Sequence, residues 1–172
     1  MSMSVGTLIS VEEYLKTSYS PDREYRDGVV TERNVGDNAH ADVQLGLGSY
    51  LRVHQKQWKI HAYTELRICV REGWYPIPDV CAYSLPAPKE RFPTTLPLLW
   101  IEILSEDDRM IDVWRKAKDL IACGVPYVWI IDPITLDSQL MTQAGGPNAV
   151  PDQTLLIPDT PIVIPLVDVM AE

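Results

Sequence analysis

The chain has 172 residues, of which 46% are hydrophobic and 23% charged, the balance of one globular domain spanning 1–172 with a core of its own. Its net charge of −9 excludes a protein that coats nucleic acid through a general basic face, but not a nuclease in which a local basic patch or a bound cation reverses the field. No apolar stretch approaches the ~20 residues of a membrane helix. Met1–Ser10 has no basic segment followed by an apolar one, so no secretory signal is read there. Cys69, Cys81 and Cys123 are scattered and form no Cys-x-x-Cys pair. That argues against a zinc site or a disulfide framework and for idle thiols in a reducing cytoplasm.

Ser10 and Glu13 have capping-box spacing, which predicts a short helix from Val11 to about Thr17. Glu24-Tyr25-Arg26, the Asp27-Gly28 turn pair and Val29-Val30-Thr31-Glu32 predict a β-hairpin. Asp37 or Asn38 can cap a second helix reaching about His54, with Val43, Leu47, Tyr50 and Leu51 on its apolar face and His40 on the same side. Gly46 and Gly48 weaken this helix and suit the close approach of another backbone. Lys59 to Val70 reads as a strand, followed by a turn at Arg71-Glu72-Gly73 and a further strand, Asp79 to Tyr83, behind Pro76 and Pro78.

A proline-containing loop leads into Leu98-Leu99-Trp100-Ile101-Glu102-Ile103-Leu104, the most apolar run of the chain. Such a run reads as a strand buried on both faces. Alternation puts Leu98, Trp100, Glu102 and Leu104 on one face, so Glu102 is not the wet side of an amphipathic strand. An isolated carboxylate there costs several kcal/mol unless a cation or protons offset it. Ser105 is the predicted cap of a third helix, Glu106 to Cys123, whose stripe is Met110, Val113, Trp114, Ala117, Leu120 and Ile121. Gly124 is its stop signal, and Val125 to Ile131 reads as another buried strand. The remainder, Leu136 to Glu172, is proline-rich and reads as a hairpin and an irregular tail packed on the sheet edge.

Asp79 and Glu102 open and occupy successive strands, and antiparallel pairing would bring their carboxylates together at one end of the sheet. Two hard oxygen ligands suit Mg²⁺ or Mn²⁺, with water and phosphate completing the shell. From the residues alone, other readings stand beside this one. Asp79 also fits a strand-start Asp, Glu24 an exposed hairpin carboxylate, His40 a core histidine, and Lys116 a solvated helix lysine beside Arg115 and Lys118. A metal-free glycosidase acid/base pair would need carboxyl groups about 5 to 9.5 Å apart, and no sugar-binding signature accompanies it. Phosphate-loop, dinucleotide and nucleophile-elbow motifs are absent.

Pro78-Asp79-Val80, Ile101-Glu102-Ile103-Leu104-Ser105, Asp112, Lys116, Gly124-Val125 and Tyr127 through Asp132 together resemble one lineage of the PD-(D/E)XK nuclease superfamily, the Uma-type family of restriction-endonuclease-like bacterial proteins. Val11 through Leu15, Glu24 through Gly28 and His40 extend the resemblance over nearly the whole chain. It implies an α/β restriction-endonuclease-like core, with a central mixed β-sheet flanked by helices, an extra N-terminal helix and hairpin, and a C-terminal hairpin. It also implies a Mg²⁺- or Mn²⁺-dependent endonuclease acting on DNA, for which a homodimer is the expected way to cut both strands. Asp79, Glu102 and the Ile103 carbonyl would hold the metal, Lys116 would orient water or stabilise phosphorane charge, Glu24 would be a further ligand or water-positioning base, and His40 would contact phosphate or shuttle protons. The wider superfamily has lysine two residues after the glutamate, where this chain has Leu104; in the Uma-type lineage a helix lysine, here Lys116, takes that role. Leu120 stands where the family usually has a tyrosine. The alternative is a nuclease fold that has lost the reaction and serves as a binding or assembly module.

Overall fold

A computed structural model describes residues 8–171. The reading of Met1–Ser10 as lacking a signal falls largely outside them, as does Glu172. In chain order the elements are α1 (Val11–Lys16), β1 (Arg23–Arg26), β2 (Val29–Glu32), α2 (Asn38–Trp58), β3 (Ile60–Thr64), β4 (Trp74–Tyr75), β5 (Val80–Ser84), β6 (Leu99–Ile103), α3 (Met110–Cys123), β7 (Tyr127–Ile131), β8 (Ser138–Thr142), β9 (Gly145–Ala149), β10 (Thr154–Leu156), β11 (Val163–Pro165) and α4 (Leu166–Val169). Among the described residues no helix is long and apolar enough to cross a membrane.

The central sheet is mixed, in the order β3-β5-β6-β7-β8-β9. Only β6 and β7 are parallel, joined by the crossover helix α3; the other pairs are antiparallel. The fold class agrees with the sequence reading. Side-chain alternation divides the interior into two cores. Val80, Ala82, Leu99 and Ile101 face α2, which supplies Val43, Leu47 and Leu51, all fully buried. Cys81, Trp100, Val128 and Ile130 face α3, which supplies Ala117, Leu120 and Ile121. Burial pushes the Cys81 thiol pKa well up, which makes it an inert core residue.

The N-terminal elements form a separate clamp. Ser10 Oγ accepts the Glu13 amide (3.1 Å), so α1 starts at its cap as predicted. Asp27 and Gly28 both adopt positive φ in the tight β1–β2 turn. A smaller sheet, β2-β1-β4, carries this hairpin. Tyr14 stacks on Tyr25 with ring centroids 4.9 Å apart, and its hydroxyl donates to the Arg23 carbonyl (2.6 Å). Arg26 reaches across to Asp119 of α3 (2.7 Å). The hairpin is thereby fixed against the main domain by packing on one side and an ion pair on the other.

Three boundaries and the placement of the tail differ from the sequence reading. Helix α2 runs on to Trp58, because Trp58 is itself buried, and stops where Lys59 turns left-handed. Strand β3 ends at Thr64 rather than Val70: Glu65 takes a positive φ and donates its amide to the Asp79 carbonyl, which turns the chain out of the ladder. Ser105 does not cap α3. The Asp108 carboxylate instead accepts the Ser105 amide (2.7 Å), closing a turn, and the helix begins at Met110. The tail also behaves differently. Hairpin β8–β9 extends the sheet edge, but β10, β11 and α4 fold over the α2 face, burying Leu155, Ile157, Ile162 and Ile164 in that core.

This last packing explains one of the two helix glycines. A Cβ at Gly46 would lie 2.9 Å from the Val169 carbonyl oxygen, whereas one at Gly48 would meet only Thr64 Cγ2 at 3.4 Å. Gly46→Ala should therefore lower stability by about 1–3 kcal/mol through overpacking against α4. Gly48→Ala should be neutral or gain up to about 1 kcal/mol from helix propensity. Urea denaturation of the two variants checks the contrast; equal midpoints would mean that α4 does not seat against Gly46.

Candidate functional site

The β5–β6 ladder closes at Val80↔Ile101. Carrying that register one step further sets Asp79, just before β5, level with Glu102 in β6. A cleft of about 260 Å³ opens there. Glu24, His40, Asp79, Glu102, Ile103 and Lys116, all six residues singled out from the sequence, line it. They arrive from five places in the chain: Glu24 on β1, His40 in the first turn of α2, Asp79 just before β5, Glu102 and Ile103 at the end of β6, Lys116 on α3.

Lys116 is the centre of the charge arrangement. Its Nζ lies 2.7 Å from Glu24 Oε1 and 2.8 Å from Glu102 Oε1. Burial alone would depress its pKa, but the two carboxylates outweigh that and hold it above the ordinary lysine range. Glu102 is pushed the other way, up to about 7, by burial. Lys116 opposes that rise, and the Asp79 and Glu24 charges add to it. Trp100, on the same strand face, donates its indole N–H to Glu102 Oε1 (2.7 Å). Both donors thus converge on Oε1. No hydrogen bond reaches Glu102 Oε2 among the described residues.

Glu24 Oε1 also accepts the Ile77 amide (3.0 Å), so the hairpin carboxylate ties β1 to the segment leading into Asp79. Asp79 is 5% exposed and almost fully engaged. Its Oδ2 accepts the Ile103 amide (2.7 Å) and lies 3.4 Å from His40 Nε2; its Oδ1 is 2.9 Å from Arg33 Nη2. Burial would raise the Asp79 pKa, but His40, the Ile103 amide and Arg33 together bring it below the usual value. The same contact raises the pKa of His40. Asp37 caps α2 by accepting the His40 amide (3.0 Å), which fixes where the imidazole starts. Gly36 leaves room for the ring, since a Cβ there would fall 2.5 Å from His40 Nδ1.

Three residues that contact Asp79 or Glu102 carry parts that the sequence reading did not assign; of them only Arg33 lines the cleft. Arg33 is not among the candidate site residues read from the sequence. Trp100 was placed on the Glu102 face, and that shared face is the signal for its hydrogen bond. Gln44, whose amide donates to the Asp79 carbonyl (3.0 Å), gave no signal.

The donor chemistry suits a hard divalent ion. Asp79 and Glu102 supply carboxylate oxygens, and Glu102 Oε2 is uncommitted. The N–H and C=O of one extended residue leave the same strand edge, so the Ile103 carbonyl projects to the edge on which its amide meets Asp79. Among the described residues no three His, Cys, Asp or Glu side chains cluster as a metal cage. Mg²⁺ is a cation that can be held by one or two carboxylates, with water and phosphate completing its shell.

No curated protein matches the chain. Among solved structures, a putative nuclease belonging to DUF820 from Anabaena variabilis ATCC 29413 superposes with a TM-score of 0.80 at 21% identity, over 94% of this chain and 97% of that one. At that identity the likeness establishes a shared fold. The Uma2 family, described as putative restriction endonuclease, matches residues 11–167. With nearly the whole length matched, the chain belongs to the Uma2 family of putative restriction endonucleases.

Proposed function

We propose that the cleft hydrolyses phosphodiester bonds of DNA with Mg²⁺ or Mn²⁺ held by Asp79, Glu102 and the Ile103 carbonyl. The observation that carries this reading is the convergence of Asp79 and Glu102 from neighbouring strands into one cleft, with Lys116 already seated on Glu102. A bound divalent ion supplies Lewis-acid polarisation of the phosphoryl group and a lowered pKa for water. Lys116 keeps a full positive charge beside the position where negative charge builds on phosphorus, and its two carboxylate partners fix its head so that little reorganisation is needed. Glu24 anchors Lys116 and can orient an attacking water. His40, raised in pKa by Asp79, can donate a proton or a hydrogen bond to phosphate oxygen. Hydrolysis forms a water-oxygen to phosphorus bond and breaks one ester bond, leaving a phosphate monoester and an alcohol. Leu104, where the wider superfamily has lysine, lies beside a cleft whose ammonium comes from α3 instead. A homodimer would let two such clefts cut both strands of a duplex.

One observation favours a second reading, an inert nuclease-fold binding module: Asp79 and Glu102 are already paired internally, with Arg33 and Lys116 respectively. Divalent-ion binding separates the two. Mn²⁺ at millimolar concentration should raise the melting temperature of the native protein and not of Asp79→Ala. Glu102→Gln should keep the fold, as read by circular dichroism, and lose divalent-dependent cleavage of plasmid or short duplex DNA. Nicking at the native rate by this variant would remove the assignment, and an absent thermal shift with either ion would leave the inert module.

The pH dependence has a defined sign. Glu102, with its pKa near 7, takes up a proton as pH falls through that value, and the protonated form competes with an ion for the same oxygens. Stabilisation by Mn²⁺ should therefore be fullest above about pH 8 and decline as pH falls through 7. Glu102→Gln should lose that slope. Thermal shift measured across pH 5.5–8.5 at fixed Mn²⁺ checks it.

A further inference from the structure

Arg33 takes no part in the chemistry above, yet it occupies the oxygen that a metal would need. It lies in the stretch 33–37 between β2 and α2, which has no regular secondary structure. Its side chain is 18% exposed; Nη2 is 2.9 Å from Asp79 Oδ1, and Nη1 is 3.5 Å from the exposed Glu65 carboxylate. The other partners of Asp79 are held by regular elements: the Ile103 amide is part of β6, and His40 sits in the capped first turn of α2. Of the three groups on Asp79, Arg33 alone combines a full charge with a long side chain rooted outside helix and sheet.

We propose that Arg33 is an exchangeable counter-ion: it neutralises Asp79 Oδ1 while no divalent ion is bound, yields that oxygen to the ion, and presents its guanidinium to the incoming phosphate. The inference rests on the metal reading of the cleft. A guanidinium and a divalent cation cannot share one carboxylate oxygen at contact distance without strong repulsion, and the doubly charged ion gains more from the carboxylate. Leaving Asp79 does not strand Arg33, because Glu65 already lies beside its other nitrogen. Its head also stays within the cleft that contains Glu102 and Lys116. There the planar fork of donors matches phosphate, which a lysine ammonium would meet only as a point charge. The arrangement also answers a cost. Asp79 is buried, and without an ion or Arg33 one of its oxygens would lie desolvated and unpaired.

The signature is a pair of changes with opposite sign. Removing Arg33 removes a competitor of the metal and a partner of the phosphate. Mn²⁺ titrated calorimetrically into the metal-free protein should bind R33Q about tenfold more tightly than native, the order of one close charge pair. A phosphorothioate duplex, followed by fluorescence anisotropy with Mn²⁺ present, should bind R33Q about tenfold more weakly. If R33Q fails to fold, R33K carries the same test with smaller shifts in the same directions. Unchanged or weaker Mn²⁺ binding in a folded variant overturns the exchange and leaves the metal site standing. Weaker binding of both ligands marks Arg33 as structural and likewise overturns it. Mn²⁺ binding to neither native nor variant protein overturns the metal reading, and the exchange with it.

Discussion

A carboxylate embedded in an apolar strand is the constraint around which this molecule is arranged. Glu102 shares its strand face with Trp100, which lies in a core with Cys81, Val128 and Ile130, and sits where that face opens into the cleft. Burying such a group without partners costs several kcal/mol. The structure meets the cost with two donors on one face of β6. Trp100, two residues back, gives one hydrogen bond from within the strand. Lys116, from the helix that carries the chain over to β7, gives the compensating charge. The β6-α3-β7 crossover is thus more than a way to pair parallel strands, because it carries an ammonium to the end of the strand that needs one.

Lys116 in turn requires more than Glu102. Partial burial opposes the charge on Lys116, and Glu24 supplies the second carboxylate that helps keep it protonated. Glu24 belongs to the N-terminal hairpin, so the position of the cleft's central cation depends on how that hairpin docks. The Tyr14–Tyr25 stack, the Tyr14 hydroxyl on the Arg23 carbonyl and the Arg26–Asp119 pair fix it. Elements that look peripheral in the topology are in this way tied to the site. The ties are built from groups that bond to backbone or across elements, the kind whose removal leaves a polar group unsatisfied.

How much of this was legible in the sequence follows from the range of each interaction. Glu102 announced itself because strand alternation is local: one polar residue on an apolar face is visible within seven letters. Helix α3 was legible from its stripe and its stop at Gly124, which adopts the left-handed conformation that a helix end favours. The start of α3 was not, because it is set by Asp108 folding back on Ser105, a choice between two equally polar residues. The end of β3 was hidden for a related reason. Nothing in Glu65-Leu66-Arg67 forbids an extended strand, and the turn there is held by a bond to the Asp79 carbonyl, fourteen residues away. The Lys116–Glu24 pair spans 92 residues and leaves no periodic trace at either end. Resemblance to a family supplied both residues as separate candidates, but only coordinates join them. Arg33 had neither local pattern nor family motif behind it, and its part rests wholly on the geometry of Asp79.

The overall charge of −9 poses a question that the cleft helps to answer. A duplex approaching this protein meets a repulsive far field, and the positive groups of the cleft are spent on its own carboxylates, Arg33 on Asp79 and Lys116 on Glu24 and Glu102. In that state the cleft has little net attraction for phosphate. On the reading developed above, an ion that takes over Asp79 changes the balance twice, by adding its own charge and by releasing a guanidinium. Reciprocity of binding free energies then requires DNA to tighten the ion as much as the ion tightens DNA. A chain that is acidic everywhere else would acquire affinity for DNA mainly at the place, and in the state, competent to cut it.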